Sequence, residues 1–125
     1  MGPKRKSERG AAVVELAVVL PILVLLLFGI IEFGRGYNAK VELTAAVREG
    51  ARAAALSSGD PVVATRDAAP GLNTSAVAVT VVAPCPPSGT GNAKVKAAYP
   101  FTYAIPFFGT RTVTVNATGV MRCGG

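Results

Sequence analysis

The most prominent feature of the chain is an almost uninterrupted apolar run near its start. Between Ala11 and Ile31 the sequence contains a single charged residue, Glu15. A helix over 11–31 rises roughly 31 Å, which matches the thickness of a bilayer core. The pattern therefore predicts a membrane-spanning helix at 11–31. Pro21 lies inside this run, and it predicts a kink or a loosened turn there.

A second pattern follows between residues 37 and 56, where apolar side chains recur every three or four positions. This spacing is typical of one face of a helix. The predicted stripe consists of Tyr37, Val41, Thr44, Val47, Ala51 and Ala54. Gly59 and Pro61 end the pattern, so we predict one helix over 11–57, about 70 Å long. Three glycines near the outer membrane boundary either form a hinge or are simply tolerated in a long helix: Gly29, Gly34 and Gly36.

The rest of the chain alternates between apolar and polar residues in three stretches separated by loops rich in Pro, Gly and Ser. The stretches are 75–83, 94–105 and 112–118, and a short helix is predicted before them at 62–69. Three runs of this kind indicate an antiparallel meander with one buried face, which the helix of residues 37–56 would cover.

The fold class that these patterns predict is α+β. It consists of a long N-terminal helix, transmembrane in its first half and amphipathic in its second, packed on a small three-stranded antiparallel sheet. Pro100 and Pro106 indicate that the second strand lies at an edge, is bulged, or is interrupted near its end.

The charge distribution sets the orientation of the predicted membrane helix. Four of the 13 basic residues lie in the first ten positions, and Lys and Arg next to a membrane helix stay on the cytoplasmic side. The predicted organisation is thus a cytoplasmic leader at 1–10, a transmembrane helix at 11–31 and an extracytoplasmic domain at 32–125. We expect the leader to be disordered, because it has no apolar core of its own.

Two cysteines, Cys85 and Cys123, follow the membrane helix and lie where disulfides persist. In a meander the first and third strands point the same way, so both cysteines fall at one end of the sheet. We predict that they form a disulfide that closes over the end of the middle strand. In the chain-entropy picture this loop stabilises the fold by roughly 4 kcal/mol.

Composition and motifs argue against several classes of function. The net charge of +6 is shared between the leader and the remainder, and without Trp or a binding motif it does not indicate nucleic-acid binding. The chain has no His, and two bonded cysteines cannot form a zinc cluster. Neither a phosphate-binding Gly-rich loop nor a Gly-x-Ser-x-Gly turn occurs. We predict a protein that is not an enzyme and needs no cofactor.

The start of the apolar run carries more specific information. Gly10 ends the short basic leader, and Glu15 is the fifth residue after it. This arrangement resembles type IV prepilins. The resemblance implies that a prepilin peptidase cuts between Gly10 and Ala11, and that Glu15 then pairs with the new α-amine of Ala11 in a neighbouring subunit. A carboxylate inside a membrane helix is costly and usually has a partner. The alternatives are that Glu15 snorkels to the interface, and that 11–31 is a plain signal anchor.

Further motifs narrow the resemblance. The Gly-x4-Glu motif, the mid-helix Pro21 and the Arg-Glu-Gly-Ala-Arg motif at 48–52 are together similar to TadE-like proteins, the pseudopilins or minor pilins of the tight-adherence (Flp) type IV pilus system. The major pilins of that system favour an aromatic residue where this chain has Leu16, and they largely lack a downstream domain. Both differences favour an accessory pseudopilin over the main filament subunit.

The resemblance also implies a location and a set of partners. The chain would be a single-pass protein of the inner, cytoplasmic membrane with a cytoplasmic N-terminus, available for incorporation into a pilus. Its partners would be the membrane, the prepilin peptidase, other pilin or pseudopilin subunits and the inner-membrane assembly platform. The alternative function is a signal-anchored extracytoplasmic binding module that is not part of a pilus.

Two further groups are candidates for partner contacts. Arg48, Glu49 and Arg52 lie within one turn of one another on the predicted helix, where they form either a solvated salt-bridge cluster or a contact with another subunit. Phe107 and Phe108 lie in a predicted turn. They either pack onto the helix, which is the arrangement we predict, or stay exposed for a partner or the membrane.

Overall fold

A computed structural model describes residues 4–124, with side chains described from Lys6 onward. It contains two helices, a single 3-10 turn and three strands within that range. These elements are α1 (Lys4–Leu56), α2 (Pro61–Asp67), the 3-10 turn (Thr74–Ala76), β1 (Ala78–Ala83), β2 (Asn92–Ile105) and β3 (Gly109–Arg122). The strands form one antiparallel sheet in the order β1-β2-β3, and α1 packs across it. The predicted α+β architecture is confirmed.

Helix α1 is longer than the sequence predicts. Its 53 residues correspond to about 80 Å, and it continues through Pro21 and all three glycines of the outer boundary. The prediction of a disordered leader is wrong for residues 4–10, which are helical, while residues 1–3 lie outside the described residues. Adding residues to an existing helix costs little, and Lys, Arg and Glu are good helix formers.

The face of α1 that packs on the rest of the domain agrees with the predicted stripe only in part. Val47 and Ala51 of the stripe are fully buried, whereas Tyr37 and Val41 are 65% and 49% exposed. Leu43 and Ala46, which the stripe did not include, are fully buried. The buried face is lined largely by small residues because the sheet and α2 both approach the helix closely. The predicted close approach to a face of small residues is confirmed, but that face also includes Leu43 and Ala46, which the predicted stripe left out.

Two glycines show how close this approach is. A Cβ added to Gly50 would lie 1.9 Å from Thr65 Oγ1 on α2, and one added to Gly119 would lie 2.2 Å from the Val47 carbonyl oxygen. Thr65 is itself fully buried and donates its hydroxyl hydrogen to the Pro61 carbonyl. The helix therefore touches β3 backbone to backbone, without a side chain between them.

The sheet has one covered face, as predicted. In β2 the covered positions alternate along the strand, from Ala93, Val95 and Ala97 to half-buried aromatic residues towards Ile105, and only Ala98 departs from the pattern. The main core cluster joins helix and sheet through Leu43, Val47, Val77, Ala97 and Ala117. The structure starts β1 later than predicted, because residues 74–76 form a 3-10 turn in which Ala76 donates to the Asn73 carbonyl.

Strand β2 is central over only part of its length. Ala98 is its last residue paired with β1, and beyond it only β3 pairs with β2. Pro100 therefore lies on a segment with one free edge, and Pro106 follows the end of the strand, in agreement with the prediction. At the other end of the sheet, Cys85 and Cys123 form the predicted disulfide, with Cα atoms 5.7 Å apart.

Candidate functional site

The N-terminal half of α1 is the first part of the candidate site, and it stands free of the domain. Every residue over 11–24 is exposed. Among the described residues, α1 is the one helix long and apolar enough to cross a membrane. Its most apolar window has a mean hydropathy of 2.9 and none of it is buried. A core helix of a soluble protein would bury this surface, so an apolar environment outside the chain must cover it.

Gly10, Ala11 and Glu15 lie together on this free segment. Ala11 and Glu15 are one turn apart and therefore on the same helix face. The two ion pairs among the described side chains are Glu32–Arg35 and Glu49–Arg52, and neither involves Glu15. The structure thus shows one carboxylate in an apolar, exposed helix surface. Its pairing with a second subunit stays a prediction.

Pro21 lies six residues beyond Glu15, inside the helix. Because Pro has no N–H, the Ala17 carbonyl lacks its usual intrahelical donor. The helix nevertheless continues on both sides of Pro21. The predicted local loosening of the turn stays a prediction.

The second part of the site begins where the apolar run ends. Arg35 donates to Glu32 Oε1 at 2.7 Å, and Glu32 Oε2 accepts the backbone N–H of Ala104 on β2 at 3.1 Å. The hydrogen bond from Arg35, and after it the one from Ala104, lower the pKa of the Glu32 carboxyl below its usual value. The Arg35 guanidinium also lies 5.6 Å from the centre of the Phe101 ring. These contacts fasten the β2–β3 hairpin to α1 at the first charged residue after the membrane segment.

A groove of about 470 Å³ runs between α1 and the hairpin on both sides of this junction. It is lined by apolar side chains of both elements, among them Leu25, Phe33, Tyr103, Ile105 and Val115. Leu25 lies within the predicted membrane segment, six residues before its last residue, Ile31. The hairpin therefore extends alongside the outer part of that segment instead of ending above it.

The tip of the hairpin is exposed, so the prediction that Phe107 and Phe108 pack on the helix is wrong. Their exposures are 85% and 72%. Phe107 has a φ of +71° and the next glycine, Gly109, has a φ of +85°, and this tight reversal turns both rings outward. A shallow hollow at the tip is lined on the other side by Phe28 of α1.

The third group of candidate residues lies on the outer surface of α1. Arg48, Glu49 and Arg52 are all exposed, and Arg52 is 3.8 Å from Glu49 with both side chains more than half exposed. Such a pair contributes little to stability. The geometry agrees with a solvated face, and contact with another subunit remains the alternative.

Several residues of the site were not singled out by the sequence patterns. Glu32, Arg35 and the β2 backbone at Ala104 form the junction, yet only the charge change after residue 31 marks it in the sequence. Within residues 6–124, no three His, Cys, Asp or Glu side chains come together as a metal site.

The comparisons with known proteins concern the first part of this site. Residues 10–52 match the family model of the TadE-like proteins. This match spans 43 of the 125 residues, from Gly10 to Arg52, and it confirms the resemblance drawn from the sequence. Comparison with curated proteins and with solved structures gives no match.

Proposed function

Because residues 10–52 match the family model of the TadE-like proteins, we propose that this chain is a membrane-anchored pseudopilin that takes part in assembling a tight-adherence (Flp) pilus. The observation that supports this most directly is the coincidence of the family match with the free part of α1. The match begins at Gly10 and includes Glu15 and the whole exposed apolar run. The family match thus includes the whole segment that the fold leaves uncovered, and it continues through the part of α1 that packs on the domain to Arg52.

The proposed pathway starts with membrane insertion. The basic leader stays in the cytoplasm, 11–31 spans the inner membrane, and the β-sheet domain lies outside. A prepilin peptidase then cuts between Gly10 and Ala11. Gly10 suits this step because glycine in a helix costs about 1 kcal/mol relative to alanine, which makes local unwinding there easier. The chain itself carries out no catalysis and binds no cofactor.

After cleavage, the proposed role of Glu15 is to recruit a neighbouring subunit. The new α-amine of Ala11 and the carboxylate of Glu15 carry opposite charges, and their attraction is strong in the low dielectric of the membrane. In lipid an unpaired carboxylate costs about 2.5–3.5 kcal/mol by insertion scales, so the pair also fixes the register between subunits. The assembly platform and other pilin or pseudopilin subunits are the proposed partners.

N-terminal sequencing of the protein from its native membrane tests the processing step. We expect a mature chain that begins at Ala11 in cells that contain the prepilin peptidase, and an intact leader in cells that lack it. An intact leader in both would contradict the pseudopilin assignment. It would instead support a signal-anchored binding module that is not part of a pilus, for which the exposed Phe107–Phe108 tip is the available recognition surface.

The variant Glu15→Gln tests the assembly step. It removes the charge and keeps the side-chain shape, so we expect normal membrane insertion and cleavage but impaired piliation. Glu8→Gln is the matched control, because it makes the same chemical change in the leader that processing removes. Normal piliation by Glu15→Gln, with the altered chain present in the membrane, would rule out this role for the carboxylate.

A further inference from the structure

The β2–β3 hairpin reaches the depth of the membrane-spanning segment, and the position of its tip is fixed by contacts to α1. The Glu32–Ala104 hydrogen bond sets the level of the hairpin at the first charged residue after the apolar run. Below this bond the strand ends, and the tip residues share a hollow with Phe28 of α1. Phe28 precedes Glu32 by four residues on α1, so it lies about 6 Å further along the helix axis on the membrane side. The tip is therefore level with the outer rim of the bilayer that 11–31 spans.

The chemistry of the tip suits that depth. Phe107 and Phe108 project outward from a turn that also contains Pro106. Large apolar side chains at such exposures are unfavourable in water, and Phe is among the residues that interfacial elements bury in the membrane boundary. An apolar element that enters this boundary by about 5–10 Å is the usual geometry of interfacial binding.

The charged residues around the tip suit a membrane–water interface, where cationic side chains face the lipid headgroups. Two arginines lie behind it on the side of the domain, Arg35 on α1 and Arg111 on β3, and both are exposed. Arg111 pairs in the sheet with Tyr103, two residues before the end of β2. Arg35 is held by Glu32 and lies beside the Phe101 ring, so Arg111 is the side chain that extends to the headgroup phosphates while the aromatic rings lie deeper. The only acidic side chain beside the tip in the described residues is Glu32, and Arg35 already pairs with it.

We propose that the hairpin tip, residues 105–109, is a second membrane contact that inserts into the outer interface of the same bilayer that holds α1. The occupant of this apolar surface is therefore lipid, not a second protein. The groove beside α1 shares Ala104, Ile105 and Pro106 with the hollow at the tip. The part of the groove between Leu25 and Glu32 lies at the depth of the tip, so acyl chains reach that part. This inference rests on the proposed membrane anchoring of 11–31.

The absence of tryptophan from the chain gives a direct test. A single Trp is introduced in the full-length protein at one of three positions, and each variant is reconstituted into vesicles of phosphatidylcholine and phosphatidylglycerol. Phe108→Trp reports on the tip and Phe28→Trp on the membrane segment. Val120→Trp is the aqueous control, because Val120 is 54% exposed and lies about 37 Å from the tip along β3. Quenching is measured with doxyl-labelled lipids and with aqueous iodide, and circular dichroism verifies that each variant is folded.

We expect the Phe28→Trp and Phe108→Trp variants to be quenched by doxyl lipid and protected from iodide, with Phe108→Trp quenched best by a label near the headgroup. We expect the Val120→Trp variant to show the opposite behaviour. If Phe28→Trp is quenched by lipid while Phe108→Trp behaves like Val120→Trp, the second contact is refuted and the anchor stands. If Phe28→Trp is not quenched by lipid, the anchoring itself is refuted, and the tip contact with it. Protection of Phe108→Trp from iodide that rises with protein density and occurs without lipid quenching would show that another copy covers the tip, which also refutes the proposal.

Discussion

Gly119 is the position where the packing of α1 on the sheet is tested most directly. A Cβ at this residue would lie 2.2 Å from the oxygen and 2.5 Å from the carbon of the Val47 carbonyl, whereas ordinary contact begins at 3.4 Å. The atoms in the way belong to the helix backbone, so no side chain can rotate to make room. Gly119→Ala therefore forces the helix and β3 apart by about 1 Å.

The expected cost follows from two opposing contributions. Overfilling a well-packed contact destabilises a protein by about 1–3 kcal/mol. Replacing glycine by alanine inside a strand recovers about 0.5–1 kcal/mol because alanine loses less backbone freedom on folding. Since a backbone-to-backbone contact relaxes poorly, the cost lies near its upper limit, and we expect a net loss of about 2 kcal/mol.

Urea unfolding of the full-length protein in detergent micelles, followed by tyrosine fluorescence, measures this loss. A denaturant dependence of about 1–2 kcal/mol/M converts it to a fall in midpoint of about 1–2 M. Gly34→Ala is the matched control, since nothing lies within 4 Å of a Cβ there and Gly34 is helical. We expect the control to lose no stability. An unchanged midpoint for Gly119→Ala would refute the close contact between α1 and β3.

Two further predictions concern the ends of elements. Replacing both Cys85 and Cys123 by Ser opens a loop with a sequence separation of 38 and should cost roughly 4 kcal/mol in the same urea assay, while thiol reagents should fail to label the unreduced wild-type protein. Asp60→Ala removes the acceptor for the Val62 N–H at the start of α2 and should cost about 1 kcal/mol, whereas Asp60→Asn should retain most of the stability.

Much of the fold could be predicted because local patterns and the final packing agree. The apolar run at 11–31 predicts a membrane-spanning helix whatever the rest of the chain contains. The alternation in β2 matches its burial because one face of the sheet is covered and the other is not. The disulfide followed from topology, since the ends of β1 and β3 meet at one end of a meander. In β2 the sequence period determines which side of the strand is covered.

What the sequence could not predict depends on contacts between distant segments. The buried face of α1 is decided by where Gly119 and Thr65 allow close approach, and neither residue belongs to the helix. The junction at Glu32 likewise cannot be recognised from the neighbouring sequence, because the second hydrogen-bond donor to Glu32 is the backbone N–H of a residue 72 positions away. The exposure of Phe107 depends on a left-handed backbone conformation in the turn, which is unusual for a residue with a side chain of that size.

The arrangement of these contacts also bears on how such a subunit could leave the membrane. Helix α1 is continuous from the leader to the disulfide end of the domain, and the hairpin is bonded to it at Glu32. A displacement of the membrane segment therefore carries the hairpin tip with it, because the two are held at the same depth. Under the proposed lipid contact, extraction exposes the Phe107 and Phe108 rings at the same moment as the outer turns of 11–31. Taken together, the two proposals predict that entry into a filament requires a neighbour that covers the tip as well as one that pairs with Glu15.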